Sequence, residues 1–216
     1  MKKSQAFQSP FLASPQPLPL TRIVPWSHRL VCDVLQPGDC AVDLTAGKGR
    51  DTLVLAQAVT PTGTVVAFDL QATAIGQTAE FLRQRGWQPT RWPAQQRLPE
   101  TPGIYLVTGC HSALGQVVRG PVKVIMANLG YLPGGDHHLV TRPATTLAAL
   151  EVSLDLLEEG GRLAVTVYPA HCGGAAEAQA VDAFFATLHQ DRWRVLLLRT
   201  VNHTATPYLL IAEKNA

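Results

Sequence analysis

Apolar residues along the chain follow two alternating patterns. Short continuous apolar runs are typical of strands buried on both faces, and seven such runs occur, at residues 41–43, 64–69, 104–108, 122–127, 163–168, 193–199 and 208–212. Between most of them apolar residues recur at helical spacing, as in Leu147, Leu150, Leu154 and Leu157. The Gly160-Gly161 pair is predicted to end that helix. Residues 86–103 contain four prolines and two tryptophans and are predicted to form an irregular connection.

The alternation of strands and helices predicts a mostly parallel sheet with helices on both faces. The last two apolar runs are joined by a connection too short for a covering helix, so we expect them to pair as an antiparallel hairpin. The predicted fold class is therefore α/β: a Rossmann-like, doubly wound, seven-stranded and mostly parallel sheet with an antiparallel final strand.

Length and composition indicate one globular domain. The chain has 216 residues, of which 46% are apolar. Residues 1–20, rich in Pro, Ser and Gln, are predicted to be a poorly ordered tail, and residues 21–216 a single domain. The net charge of +2 permits nucleic-acid binding without arguing for it.

The cysteine spacing argues against a metal-binding protein, and the hydropathy argues against a membrane-spanning one. The four cysteines lack the spacing of metal ligands, so we expect no metal site. We interpret them as reduced thiols in a cytoplasmic protein. No apolar run approaches the length of a membrane span, so no membrane partner is expected.

Candidate functional residues are concentrated at a glycine turn after the first predicted strand. Asp43 ends that strand, and Gly47 and Gly49 allow a sharp turn that a ligand can approach closely. A helix is predicted to begin near Asp51, so its free N–H groups face the same space. Asp69 ends the second predicted strand 20 residues after Gly49, where a nucleotide-binding βαβ unit places the carboxylate that holds a ribose.

The turn favours S-adenosylmethionine (SAM) over ATP or a dinucleotide. A Walker loop has Ser or Thr directly after Gly-Lys, whereas Gly49 follows Lys48. The dinucleotide fingerprint has a small residue where this chain has Thr52. A strand-end acid ahead of the glycines suits a cationic amino-acid group, with Asp43 near the methionine part of SAM and Asp69 near its ribose.

Four stretches of the sequence carry a specific resemblance to a known family. They are Asp43-Leu-Thr-Ala-Gly-Lys-Gly-Arg-Asp-Thr52, Phe68-Asp-Leu-Gln71, Asn128-Leu-Gly-Tyr-Leu-Pro-Gly-Gly-Asp136 and Val167-Tyr-Pro-Ala-His-Cys-Gly-Gly174. In them the chain resembles the putative rRNA methylase family of class I SAM-dependent methyltransferases, over roughly residues 22–214. The characterised members of that family are tRNA 5-aminomethyl-(2-thio)uridine-34 methyltransferases. The stretch that begins at Asn128 is the most specific of the four.

The resemblance implies a cofactor, a substrate and a set of site residues. The cofactor is SAM, the acceptor is the aminomethyl nitrogen of the wobble uridine, and the partner is the anticodon stem-loop of tRNA. Three residues are the candidates for the acceptor side: Asn128 to orient the amine, Tyr131 to stack on the base, and Asp136 to receive a proton or merely to cap the loop. The cofactor-side candidates are Asp43, Gly47, Lys48, Gly49, Arg50, Asp51, Asp69, Gln71, Cys110, His111 and Asn128.

The residues leave three alternatives open. The acceptor can be rRNA or a small-molecule amine, or the chain can be a nucleotide-binding module without catalysis. Because no separate RNA-binding domain is apparent in the sequence, RNA contacts come from the catalytic domain or from the second subunit of a homodimer.

Overall fold

The computed structural model describes residues 18–130, 141–170 and 173–216. In this part of the chain the strands are β1 Cys40–Asp43, β2 Thr64–Asp69, β3 Thr90–Trp92, β4 Gly103–Thr108, β5 Val122–Asn128, β6 Leu157–Val167, β7 Trp193–Leu198 and β8 Tyr208–Lys214. The helices are α1 Ile23–Cys32, α2 Arg50–Val59, α3 Ala72–Arg83, α4 Leu114–Val117, α5 Pro143–Leu156 and α6 Gly174–Ala186. A 3-10 helix at His111–Ala113 leads into α4.

All the strands form one sheet in the order β3-β4-β2-β1-β5-β6-β8-β7. Its pairs are parallel from β3 through to β6. β8 is antiparallel to both of its neighbours, β6 and β7. The predicted antiparallel final strand is therefore confirmed.

Both faces of the sheet are covered, which explains why the strands read as continuous apolar runs. Alternate residues of one strand enter different cores: Val66 and Phe68 of β2 pack with α5 and α6, and Val65 and Ala67 pack with α2 and α3. Side chains of successive strand residues point to opposite faces, so a strand between two helix layers needs apolar residues at every position.

The predicted number of strands is wrong, because the sheet has eight strands rather than seven. The additional strand is β3, a three-residue edge strand that pairs in parallel with β4. It lies in the segment predicted to be irregular. Its sequence, Thr-Arg-Trp, is too short and too polar to produce a periodic pattern.

The predicted end of the fifth helix is also wrong. α5 ends at Leu156, and Gly160 and Gly161 lie within β6. Gly160 has a φ of +69°, and the β5–β6 register shifts between Val122 and Val124. The two glycines therefore serve an irregularity in the strand rather than a helix cap.

The topology determines where a ligand can bind. β1 pairs with β2 on one side and with β5 on the other, so the connections after β1 and β5 leave towards opposite faces of the sheet. In such sheets the crevice outside the carboxyl ends of these two strands is the usual ligand site. No helix in the described residues is long and apolar enough to cross a membrane.

Candidate functional site

The carboxyl end of β1 is held by Asp43, which is fully buried. Its Oδ1 accepts the backbone N–H of Thr45 at 3.0 Å, and its Oδ2 accepts the hydroxyl of Thr52 at 2.6 Å. The carboxylate thus ties the strand end both to the glycine turn and to the first turns of α2.

The environment of Asp43 disfavours its charge. Burial raises the pKa of Asp43 from 3.8 to about 7, and the charges of Asp51 and Asp69 act in the same direction. The two hydrogen bonds from Thr52 and Thr45 oppose this shift. A cation in the crevice would favour the ionised form of this carboxyl.

The glycine turn has the sharp, positive-φ backbone that its glycines allow. Gly47 and Gly49 have φ angles of +52° and +78°, which L side chains rarely adopt. A Cβ on Gly49 would lie 3.0 Å from Thr78 Cγ2 and 3.1 Å from Thr78 Cα. Gly49 is therefore required for close packing of the start of α2 against α3, in addition to its backbone conformation.

Asp69, at the end of β2, anchors the other side of the turn. One of its oxygens accepts the backbone N–H of Gly47 and the other that of Gln71, both at 2.9 Å. A carboxylate has about four lone-pair sites, so each oxygen can accept one further donor. Asp69 is half-buried, which leaves it accessible to the two hydroxyls of a ribose.

Asp51 occupies the first turn of α2, and 7% of its surface is exposed. Its Oδ1 lies 2.6 Å from Nε2 of His28 on α1. Its Oδ2 accepts a hydrogen bond from the side-chain amide of Asn128 at the end of β5. The pKa of the Tyr168 phenol is raised by burial and secondarily by the charge of Asp51, so Tyr168 lies within electrostatic reach of this carboxylate.

Asn128 is fixed at both its backbone and its side chain. Its backbone N–H donates to Thr45 Oγ1 at 2.8 Å, which joins β5 to the glycine turn. Its Nδ2 faces Asp51, and its Oδ1 is buried without a hydrogen-bond partner among the described residues. An unpartnered buried acceptor in a native fold indicates a missing donor.

The remaining cofactor-side candidates lie around the same crevice. His111, which begins the 3-10 helix after β4, is 9% exposed, and burial lowers its pKa. The Glu177 charge and a hydrogen bond to the Leu44 backbone oppose that shift. Its Nε2 has no partner among the described residues. Cys110 is half-buried with a free thiol, whereas Lys48 and Arg50 are exposed.

Two predicted acceptor-side residues, Tyr131 and Asp136, lie outside the described residues. Their assignments stay predictions. The structure brings Asp43, Gly47, Asp51, Asp69 and Asn128 together around one crevice.

The buried carboxylate of Glu177 supports the contact between Gly130 and Thr141, the two described residues on either side of residues 131–140. Gly130 and Thr141 are joined by two hydrogen bonds, one from Thr141 N to Gly130 O at 3.0 Å and one from Gly130 N to Thr141 Oγ1 at 2.9 Å. Glu177 of α6, 1% exposed, accepts the hydroxyls of Thr141 at 2.5 Å and Thr146 at 2.7 Å. Gly130 and Thr141, which flank residues 131–140 in sequence, are therefore held together.

Sequence reasoning missed several residues that build the site. Thr45 and Thr52 flank the glycine turn. Thr45 lies two residues after Asp43, a spacing typical of local hydrogen bonds to a carboxylate, whereas Thr52 is nine residues from Asp43. His28 and Glu177 gave no such signal, because each reaches the site from a distant helix: His28 is 23 residues from Asp51, and Glu177 is 36 from Thr141.

These residues fit SAM, whose sulfonium and ammonium groups are cationic. The carboxylates of Asp43 and Asp69 lie at the crevice and raise the preference for a cation there. Among the residues that the structure describes, no group of three or more His, Cys, Asp or Glu side chains could hold a metal ion.

Comparisons with known proteins show the family of the chain. The family model "Putative rRNA methylase" matches residues 65–214. A chloroplastic tRNA (mnm(5)s(2)U34)-methyltransferase of Arabidopsis thaliana is 34% identical over 195 residues, which cover 87% of this chain and 68% of the plant protein.

Solved structures of similar proteins share the fold of this chain. An rRNA-methylase, described as putative, from Clostridium thermocellum is 32% identical with a TM-score of 0.81, and the match covers 91% of this chain and 100% of that one. A similarly described methyltransferase from Streptococcus mutans, solved in complex with SAH, is 33% identical with a TM-score of 0.75 over 89% and 98% of the two chains. The chain belongs to the putative rRNA methylase family.

Proposed function

We propose that this chain, a SAM-dependent methyltransferase, methylates the aminomethyl nitrogen of 5-aminomethyl-(2-thio)uridine at position 34 of tRNA. The observation that carries the proposal is Oδ1 of Asn128 at the carboxyl end of β5, which is buried and has no hydrogen-bond partner among the residues that the structure describes. The named activity of the Arabidopsis relative, a tRNA U34 methyltransferase, supports the same acceptor class.

The cofactor contributes a methyl group that is already activated on a sulfonium, so the protein mainly has to align the acceptor. Asp69 offers free lone pairs to the ribose hydroxyls, and the backbone of the Gly47–Gly49 turn leaves room for close approach. The carboxylates of Asp43 and Asp69 favour the cationic part of the cofactor. Alignment of a nucleophile with its target contributes a large part of the rate in such displacements.

Asn128 is the residue that we assign to the acceptor. An amine that attacks carbon must present its lone pair, and its N–H bonds then need acceptors. Asn128 Oδ1 is such an acceptor, and accepting one N–H aims the lone pair of the nitrogen. Tyr131 is proposed to stack on the base and Asp136 to take the proton of the alkylammonium form.

Single-turnover methylation of tRNA that carries the aminomethyl wobble base tests this assignment. Asn128→Ala is expected to lower the single-turnover rate by about 10²-fold or more, since a misplaced nucleophile loses that much. SAM affinity, measured by calorimetry, is expected to stay near the wild-type value, because other residues bind the cofactor. Asn215→Ala is the matched control, since Asn215 lies after β8 and its amide bonds an exposed carbonyl.

Two outcomes would contradict the proposal. A wild-type rate in Asn128→Ala would make the loop after β5 structural and move the acceptor to the Tyr168 side of the crevice. Methylation of free amines or rRNA, with no change in the wobble nucleosides seen by mass spectrometry, would replace the tRNA acceptor. If Asp136 takes the proton, Asp136→Asn shifts the pH dependence of the rate.

A further inference from the structure

We propose that Asp51 is a positioning residue that sets the orientation of the Asn128 amide towards the acceptor. His28 contacts the other oxygen of the Asp51 carboxylate. The inference rests on the proposed function and extends it to residues on α1 and α2. It replaces the cofactor-side role that the sequence predicts for Asp51.

The geometry commits both oxygens of Asp51 to protein donors. Oδ1 faces His28 Nε2 at 2.6 Å, and Oδ2 accepts from Asn128 Nδ2. The side chains of His28 and Asp51 are 14% and 9% exposed, so the pair is largely shielded from solvent. Asp51 also lies in the first turn of α2, where the helix dipole stabilises a negative charge.

The chemistry of the pair determines which end of the amide faces the acceptor. The two orientations of an Asn amide have nearly the same shape, and hydrogen bonding selects between them. A carboxylate accepts and cannot donate, so Asp51 selects the orientation with Nδ2 towards itself. The carbonyl oxygen of Asn128 is then left pointing elsewhere, and it has no partner among the described residues.

If the Asn128 amide were reversed, it could not accept a hydrogen bond from the amine of the substrate. It would present the NH₂ group, which donates, to a nitrogen whose own N–H bonds need acceptors. It would also compete for the lone pair that attacks the methyl carbon. Asp51 therefore acts through Asn128 rather than on the reacting atoms.

His28 contributes by fixing the carboxylate. A single hydrogen bond from Asn128 would leave Asp51 free to rotate about its side chain. The second bond, from a residue on α1, holds the carboxylate plane. The chain of contacts joins three elements, α1, α2 and β5, at the point where the acceptor is proposed to bind.

The decisive test is a double-mutant cycle of Asp51→Asn and Asn128→Ala, read as single-turnover rate at saturating SAM. The amide introduced by Asp51→Asn has one acceptor oxygen and one NH₂ group where the carboxylate has two acceptor oxygens, so it no longer fixes which end of the Asn128 amide faces it. We expect Asp51→Asn to lower the rate by roughly 10- to 100-fold, with SAM affinity changed less than about threefold. In the Asn128→Ala background the same substitution should change the rate less than about threefold, because residues that act as a unit are non-additive.

Two variants of His28 separate the hydrogen bond from the bulk of the ring. His28→Gln keeps a nitrogen donor near the position of Nε2 and is expected to retain most of the rate. His28→Leu removes the donor and is expected to fall towards the rate of Asp51→Asn. Asp191→Asn is the matched control for loss of a carboxylate, since the Asp191 side chain is 78% exposed.

A second readout is independent of turnover. The side-chain amide protons of Asn128 should be protected from exchange in ¹⁵N-resolved NMR spectra of the wild type and of His28→Gln, and lose protection in Asp51→Asn. If wild type transfers no methyl group to tRNA, the proposed function fails, and this NMR comparison still decides the role of Asp51.

Three results would overturn the inference. The first is independent, multiplicative effects of Asp51→Asn and Asn128→Ala. The second is a large loss of SAM affinity in Asp51→Asn with an unchanged rate at saturation, which would make Asp51 a cofactor ligand. The third is amide protection of Asn128 that does not depend on Asp51.

Discussion

Three aspartates of the crevice are each held by a different set of donors. Asp43 is buried with a hydroxyl and a backbone N–H, Asp69 accepts two backbone N–H groups, and Asp51 accepts from His28 and Asn128. Because a carboxylate takes its properties from its partners, these residues are expected to respond differently to substitution.

Asp43 predicts a pH dependence of stability. Its pKa in the folded protein is about 7, against 3.8 in the unfolded chain, so between these values the folded state binds more protons. The free energy of unfolding should therefore fall as the pH rises from about 4 to about 7. Asp43→Asn should remove at least about 1 kcal/mol of this fall, measured by urea unfolding at each pH. A pH profile identical to that of the wild type would show that Asp43 does not titrate in this window.

Asp69→Ala should weaken SAM binding by about 1.5–3 kcal/mol, the range for hydrogen bonds to a charged group. The loss combines the ribose acceptors with the anchors for Gly47 and Gln71. Calorimetry with SAM measures it, and Asp191→Ala is the control for an exposed aspartate. An unchanged affinity in a folded Asp69→Ala variant would remove Asp69 from the cofactor site.

At the scale of elements, the start of α2 is positioned by the close approach of Gly49 to α3. Gly49→Ala and Gly86→Ala form a matched pair, since their φ angles are +78° and +84° while a Cβ on Gly86 meets nothing within 4 Å. Both substitutions incur the left-handed backbone penalty of roughly 1–2 kcal/mol. Gly49→Ala should cost about 1–3 kcal/mol more, because Thr78 Cα is backbone and cannot rotate away. Equal losses in urea unfolding would mean that the α2–α3 contact yields freely.

The contact between Gly130 and Thr141 is supported by Glu177 of α6. Glu177→Ala leaves the buried hydroxyl of Thr146 without its acceptor and removes that of Thr141, so we expect a loss of at least ~2 kcal/mol in the free energy of unfolding. Hydrogen exchange at the backbone amides of Gly130 and Thr141 should accelerate as this contact opens. Glu151→Ala, at an exposed position of α5, is the control. Unchanged exchange at both amides would show that the hydrogen bonds between Gly130 and Thr141 form without Glu177.

At the scale of the whole molecule, every described helix and strand begins at or after Ile23. Deletion of residues 1–17, rich in Pro, Ser and Gln, should therefore leave the melting temperature within about 2 °C. Deletion of residues 1–32 is the contrasting variant, because it also removes α1 and the His28–Asp51 contact. A fall of more than about 5 °C for the shorter deletion would mean that the segment packs on the domain.

The order of strands and helices could be predicted from the sequence, because strands buried on both faces appear as continuous apolar runs and helices as apolar residues at helical spacing. The edge strand β3 has no such pattern, since an edge strand of three residues needs no apolar run. The apolar stripe predicted for α5 gave only part of its buried face. Leu150 is buried and Leu154 packs against the core, but Thr146, Ala149 and Ser153 are buried too, because small residues pack closely and Thr146 donates to Glu177.

The sequence by itself determined the glycine turn and the acids around it, because local backbone constraints place Asp43, Gly47 and Gly49 within a few residues of one another. It also determined that Asp69 and Asn128 end strands, and hence lie at the same edge of the sheet. Only the tertiary structure decided the partners of Asp51 and the contact of Glu177 with Thr141. His28 and Glu177 reach the site through packing of α1 and α6, and a contact between distant segments leaves no periodic pattern in either of them.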